Sequence, residues 1–252
     1  MTLTFDAHPR SNLIVALDFD SLSTAVKFAK QIAALVGMFK IGGQLFTAAG
    51  PAAVKEIAAL DVGVFLDLKF HDIPNTVAGA VLSAASLPGV ELLNVHALGG
   101  SAMLQAGVQA ISAGVAMGAN RARLLAVTIL TSMDDKALLE VGITGPATDR
   151  ATKLAVMSQK AGVDGVVASV QEALAIREAC GRDFLIVTPG VRPKDESSSA
   201  RRDDQSRTAT PAEAIRAGAD FIVVGRPILA ARDPRAATQT IVEEIAAAKQ
   251  FS

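Results

Sequence analysis

The sequence predicts an α/β protein, a single-domain (β/α)8 barrel of the TIM type over residues 1–252, and three observations predict it. Short β-rich runs alternate with Ala-rich stretches of helical period along the chain, the pattern of repeated βα units around a parallel sheet. Eight such runs can be drawn with no antiparallel hairpin signal between them, which favours closure over an open doubly wound sheet. The length of 252 residues, with 50% hydrophobic, suits one large core that no linker divides.

The first predicted strand, 13–17, ends at Asp18. Behind a Ser21 cap, Ala25, Phe28, Ala29, Ile32 and Leu35 recur at three and four positions, the stripe of a helix that covers a strand. The second strand, 38–41, holds Lys40 within an apolar run, and the third, 62–68, leads into Asp-Leu-Lys-Phe-His-Asp-Ile-Pro-Asn-Thr at 67–76. Strands at 90–96, 124–130, 165–168, 184–188 and 221–224 complete the set. Two stretches break the rhythm. Residues 133–149, interrupted by Gly142, Gly145 and Pro146, read as a connector with a short amphipathic turn. Residues 194–207 are polar and lack any apolar period, so a mobile loop is expected at about 193–207, either a functional lid or a solvated loop.

Charge excludes several classes of function. Twenty-four Lys and Arg stand against 25 Asp and Glu, a net charge of −1, with no basic stripe to hold a nucleic-acid backbone. Apolar runs are broken well before the roughly 18 residues of a membrane span. The single cysteine, Cys180, cannot form an internal disulfide, and no charged segment followed by an apolar one opens the chain, so cytoplasm is the expected compartment.

Polar residues recur where each predicted strand ends: Asp18, Lys40, Asp67 with Lys69, His96, Thr131, Arg192, and Gly225 with Arg226. In this architecture the carboxyl-end loops build the active site, and the opposite face serves stability. Strand alternation sends Asp67 and Lys69 to one face, with Asp72 just past the strand end. Isolated buried charges are strongly disfavoured, so such a cluster points to a site. A lysine inside an apolar strand, as at Lys40, must find a carboxylate or shift its pKa. Asp18 alone could instead cap the next helix, and His96 reads more readily as a core histidine than as a catalyst. His71 has no side assigned by parity. Near the end, Val-Gly-Arg-Pro at 224–227 passes from strand through glycine into a helix start, and Thr-Pro-Gly-Val-Arg-Pro at 188–193 adds a second glycine and arginine. Backbone N–H groups and guanidinium groups gathered there suit a phosphate dianion.

With these motifs in place, the chain resembles the orotidine 5′-phosphate decarboxylase family in its bacterial branch. The likeness runs from Val-Ala-Leu-Asp at 15–18 through the specific 65–76 block, Asn-Val-His-Ala at 94–97 and Val-Thr-Ile-Leu-Thr-Ser-Met at 127–133 to Val-Gly-Arg-Pro at 224–227. The resemblance implies decarboxylation of orotidine 5′-monophosphate to uridine 5′-monophosphate in pyrimidine synthesis, with no cofactor and no metal. It makes Lys69 the general acid at C6, within an array of Lys40, Asp67, Lys69 and Asp72 in which Asp72 comes from the partner subunit of a homodimer with shared sites. It gives the ribose to Asp18 and Lys40 with Thr76 of the partner subunit, the pyrimidine to Thr131 or Ser132, and the phosphate to Arg192, Gln205, Gly225 and Arg226. Gln205 would act as the loop closes, turning remote binding energy into a dry, assembled site.

Two rivals differ in class. A 3-keto-gulonate 6-phosphate decarboxylase or hexulose 6-phosphate synthase shares an Asp-x-Lys-x-x-Asp block but uses magnesium, and places a carboxylate where this chain has Lys40. A lysine inside the oxygen shell of a hard divalent cation would repel it. A non-catalytic nucleotide-binding barrel is the other, and the intact Lys69 with both carboxylates argues against it.

Overall fold

The computed structural model describes residues 8–119, 121–193 and 209–250. Among them eight parallel strands close into a barrel in sequence order: β1 (Leu13–Ala16), β2 (Met38–Gly42), β3 (Gly63–Phe70), β4 (Val90–His96), β5 (Arg123–Val127), β6 (Gly165–Val167), β7 (Leu185–Thr188) and β8 (Phe221–Val224). β8 returns to β1 with Leu13 opposite Ile222, so neither strand is left as an open edge. The expected strands are all present. The two largest differences are at β3, which runs two residues further to Phe70, and at β5, which stops at Val127 rather than 130. At β5 the pairing with β6 ends at Val127, and the Thr128 hydroxyl bonds to the Val167 carbonyl.

Helices cover the barrel as the apolar periods require. Leu22–Ile32 begins at Ser21, whose hydroxyl accepts from the Thr24 N–H, and it buries Ala25, Phe28, Ala29 and Ile32. Leu35 falls instead in a short 3₁₀ turn, Ala33–Leu35, that leads into β2. Val170–Cys180 and Pro211–Arg216 both start with capping boxes, Ser169 with Glu172 and Thr210 with Glu213. The connector at 133–149 holds a helix, Asp135–Glu140, capped by Asp134. The expected mobile loop lies almost wholly outside the described residues. No helix among those described is long and apolar enough to cross a membrane.

Two apolar layers hold the fold. The larger lies between strands and helices, and it includes Leu13, Val15, Phe39, Ile41, Leu66, Leu93 and Ile222. The smaller fills the barrel interior with Ile14, Met38, Phe65, Leu92, Leu125, Leu185 and Phe221, packed as a floor. Burying each such side chain stabilises by about 1.5–3 kcal/mol, so this floor is worth far more than any surface ion pair. β6 approaches β7 so closely that a Cβ at Gly165 would lie 2.4 Å from the Leu185 carbonyl oxygen, which is why only glycine fits there. Near the N-terminal ends of β7 and β8, Arg177 donates to Asp220 at 2.7 Å and to the Gly218 and Phe184 carbonyls, while Asp220 accepts from the Ile186 N–H. That network holds the face away from the polar strand ends.

Candidate active site

Above the apolar floor, the C-terminal strand ends surround a cavity of about 330 Å³. Interior parity puts Lys40 above Met38 on β2 and Asp67 above Phe65 on β3. The Lys40 ammonium lies 3.2 Å from Asp18 Oδ1 and 3.4 Å from Asp67 Oδ2, with only 12% of its side chain exposed. Gly42 leaves that ammonium its room, since a Cβ there would sit 2.8 Å from Nζ.

Lys69 meets Asp67 more closely, at 2.6 Å from Nζ to Oδ1. The two side chains converge as expected, but simple alternation is not the cause. Lys69 has a left-handed backbone, φ 49°, and the pairing of β3 with β4 shifts register between Leu66 and Phe70. The irregularity folds Lys69 back over Asp67. Burial opposes ionisation of Asp67, yet Lys40, Lys69 and the hydrogen bonds from Lys69 and Asn94 outweigh it and hold its carboxyl below the usual range.

Asn94 is the functional neighbour that the sequence reading missed. It is fully buried on β4, donates from its amide to Asp67 Oδ1 at 2.7 Å, and accepts from the Lys69 N–H at 2.8 Å. A signal existed, because strand alternation from Leu92 puts Asn94 and His96 on the interior face of β4. His96 stacks on His71, with ring centroids 5.4 Å apart. Burial, then the charges of His71 and Lys69, lowers its pKa.

Asp18, Lys40, Asp67, Lys69, Thr131, Arg192, Gly225 and Arg226 all border the cavity, together with Gly190. Gly225 precedes a one-turn helix, Arg226–Leu229, with Pro227 in its first turn. Gly190 has φ 79°, the positive value that a side chain resists, at the turn into Arg192. Ser132 is exposed and does not border the cavity, which leaves Thr131 as the neighbour of the two. Asp72 turns outward, its carboxylate accepting from the Ile73 N–H at 2.6 Å, and Thr76 is exposed in the first turn of Pro74–Ala85. Neither reaches Lys69 of its own chain. Gln205 lies outside the described residues. The cavity is bordered by two lysines and two carboxylates together with two arginines and glycine backbone, a set that suits a phosphorylated, carboxylated ligand.

Comparison with known proteins shows the family. Residues 11–241 match the family model described as "Orotidine 5'-phosphate decarboxylase / HUMPS family". The orotidine 5'-phosphate decarboxylase of Geotalea daltonii is 53% identical over 94% of this chain and 97% of its own length. That of Geobacter sulfurreducens is 52% identical over 94% of this chain and 97% of its own. The crystal structure of orotidine 5'-phosphate decarboxylase from Lactobacillus acidophilus superposes with a TM-score of 0.79 at 38% identity, covering 92% of this chain and 98% of that one.

Proposed function

The chain belongs to the orotidine 5′-phosphate decarboxylase / HUMPS family, and from that premise we propose that Lys69 delivers a proton to C6 of orotidine 5′-monophosphate in a metal-free decarboxylation. It is a carboxy-lyase of pyrimidine biosynthesis, yielding uridine 5′-monophosphate. The observation that carries the lysine's role is the 2.6 Å contact of its ammonium with Asp67 at the cavity wall. As the bond from C6 to the carboxylate breaks, its electron pair stays on C6 and takes a proton from the Lys69 ammonium, leaving a neutral amine and carbon dioxide. Asp67 faces the departing carboxylate, while the two lysines meet the charge that develops, fixed beforehand and needing no reorganisation.

The phosphosugar branch of the same family is the competing reading, and Lys40 argues against it. Its ammonium already bridges Asp18 and Asp67, the carboxylates a divalent cation would need as ligands. Asp18 and Lys40 hold the ribose hydroxyls, Thr131 the pyrimidine, and Arg192, Gln205, Gly225 and Arg226 the phosphate. A homodimer completes each site with Asp72 of the partner subunit, which balances Lys69, and with Thr76 of the partner subunit near the ribose. The outward Asp72 carboxylate supports this, as do the exposed apolar side chains close to it in sequence and at the end of β4, Ile73 at 67% and Leu98 at 45%. A cytoplasmic setting belongs to the same proposal, in keeping with one lone cysteine.

The deciding experiment measures carbon dioxide release from orotidine 5′-monophosphate by the purified protein and by Lys69→Ala. Loss of almost all turnover in the variant, with uridine 5′-monophosphate still bound, is expected. A variant keeping a large share of turnover would remove Lys69 from the proton transfer.

A further inference from the structure

We propose that Asn94 is a positioning residue for the decarboxylation, a side chain that bonds both Asp67 and the Lys69 backbone and fixes them in their working geometry. The proposal rests on the roles given above to those two residues. Asn94 is not among the residues that border the cavity, and acts through its neighbours.

Its two contacts leave the amide one orientation. The NH2 group faces the Asp67 carboxylate at 2.7 Å and the carbonyl faces the Lys69 N–H at 2.8 Å. Turning it over would set oxygen against carboxylate and N–H against N–H, so both bonds would be lost together. The second bond answers a need created by the backbone. Where the β3–β4 pairing slips between Leu66 and Phe70, Lys69 lacks a register partner on β4 and turns left-handed, a conformation its side chain disfavours. The Asn94 carbonyl takes the place of the missing partner, satisfying a backbone donor that would otherwise be left unpaired at the bend. The first bond favours the ionised form of Asp67 and fixes the carboxylate rotamer that accepts the Lys69 ammonium at 2.6 Å. An apolar residue would satisfy the barrel interior beside Leu92 equally well, so packing alone does not call for an amide at this place.

The charged and titratable groups around Asp67 are Lys40 from β2 and Lys69 from β3, with Asp18 beyond Lys40 and His96 of β4, which senses the charges of His71 and Lys69. Two variants separate positioning from mere structure. Asn94→Asp is nearly isosteric and keeps an acceptor for the Lys69 N–H, but when ionised it cannot donate and sets a second carboxylate against Asp67. Asn94→Ala removes both bonds. In each, binding of uridine 5′-monophosphate should stay within about threefold, because phosphate and ribose contacts lie elsewhere, while kcat falls on the order of 10- to 100-fold through misplacement. The acid limb of kcat should also move to higher pH, since Asp67 loses a bond to its ionised form. A folded Asn94→Ala protein with unchanged kcat and an unmoved acid limb would overturn the proposal. If the alanine protein does not fold, the aspartate variant, its fold verified by nucleotide binding, decides on the same two measurements. Lys69→Ala assayed alongside keeps the underlying reading distinct: turnover retained there removes the pair's role, whereas turnover lost there but kept in the Asn94 variants removes only Asn94's.

Discussion

Lys40 reaches Asp67 from the neighbouring strand, its ammonium 3.4 Å from Oδ2, while the same nitrogen lies 3.2 Å from Asp18. Two carboxylates therefore share one organic cation, and a hard metal ion entering between them would meet a positive charge in its own shell. Decarboxylation of orotidine 5′-monophosphate should be indifferent to a strong chelator. Activity that vanishes on chelation and returns with magnesium would favour the phosphosugar chemistry instead.

On the proposed roles Arg226 holds the phosphate and Lys69 moves the proton, so their loss should register in different constants. Arg226→Ala should weaken uridine 5′-monophosphate binding by about 2–3 kcal/mol, as expected for a lost charge-assisted hydrogen bond. Lys69→Ala should leave that affinity measurable while turnover collapses. Titration calorimetry alongside steady-state rates separates the two, and equal effects on both constants in both variants would contradict the division.

If Asp72 serves the neighbouring subunit's Lys69, two inactive proteins should rescue each other. Random re-pairing of Lys69→Ala with Asp72→Ala makes about half of the dimers mixed, and each mixed dimer has one intact site, so activity should return to about a quarter of wild type. Subunit exchange verified by mass with no activity regained would put Asp72 to work within its own chain.

The depressed Asp67 carboxyl ties stability to acid. A group whose folded pKa lies below its unfolded value of 3.8 contributes stability that is fully present above that value and is lost as pH falls through the lower folded one. Urea midpoints should therefore fall more steeply in the wild type than in Asp67→Asn as pH drops below about 4. Parallel curves would mean that the buried carboxylate carries no net linkage.

Gly165→Ala should destabilise without touching the chemistry, because its Cβ would collide with the Leu185 carbonyl at 2.4 Å, an atom that cannot swing aside. The expected loss is about 1–3 kcal/mol, with KM unchanged in the folded fraction. A thermal midpoint equal to wild type would show that β6 can move away from β7.

The barrel was legible because its strands and helices are written in apolar period, a local signal. Lys40 and Asp67 were legible for the related reason that a charge amid apolar neighbours stands out. Lys69's left-handed turn was not: it follows from a register slip between β3 and β4, and such slips depend on partners far apart in sequence. Asn94 escaped for the same cause, since a buried amide gains its meaning only when Asp67 and a bent backbone are found beside it, 27 and 25 residues away in the chain. Ser132 and Thr131 are adjacent residues, and only the path of the chain after β5 separates the one at the cavity from the one in solvent.

The floor of Ile14, Met38, Phe65, Leu92 and Phe221 is closed to solvent, each no more than 2% exposed, so no passage runs between these side chains at the base of the cavity. Entry from below, between those five side chains, is shut, so a ligand meets Asp67 and Lys69 from the side of the polar strand ends.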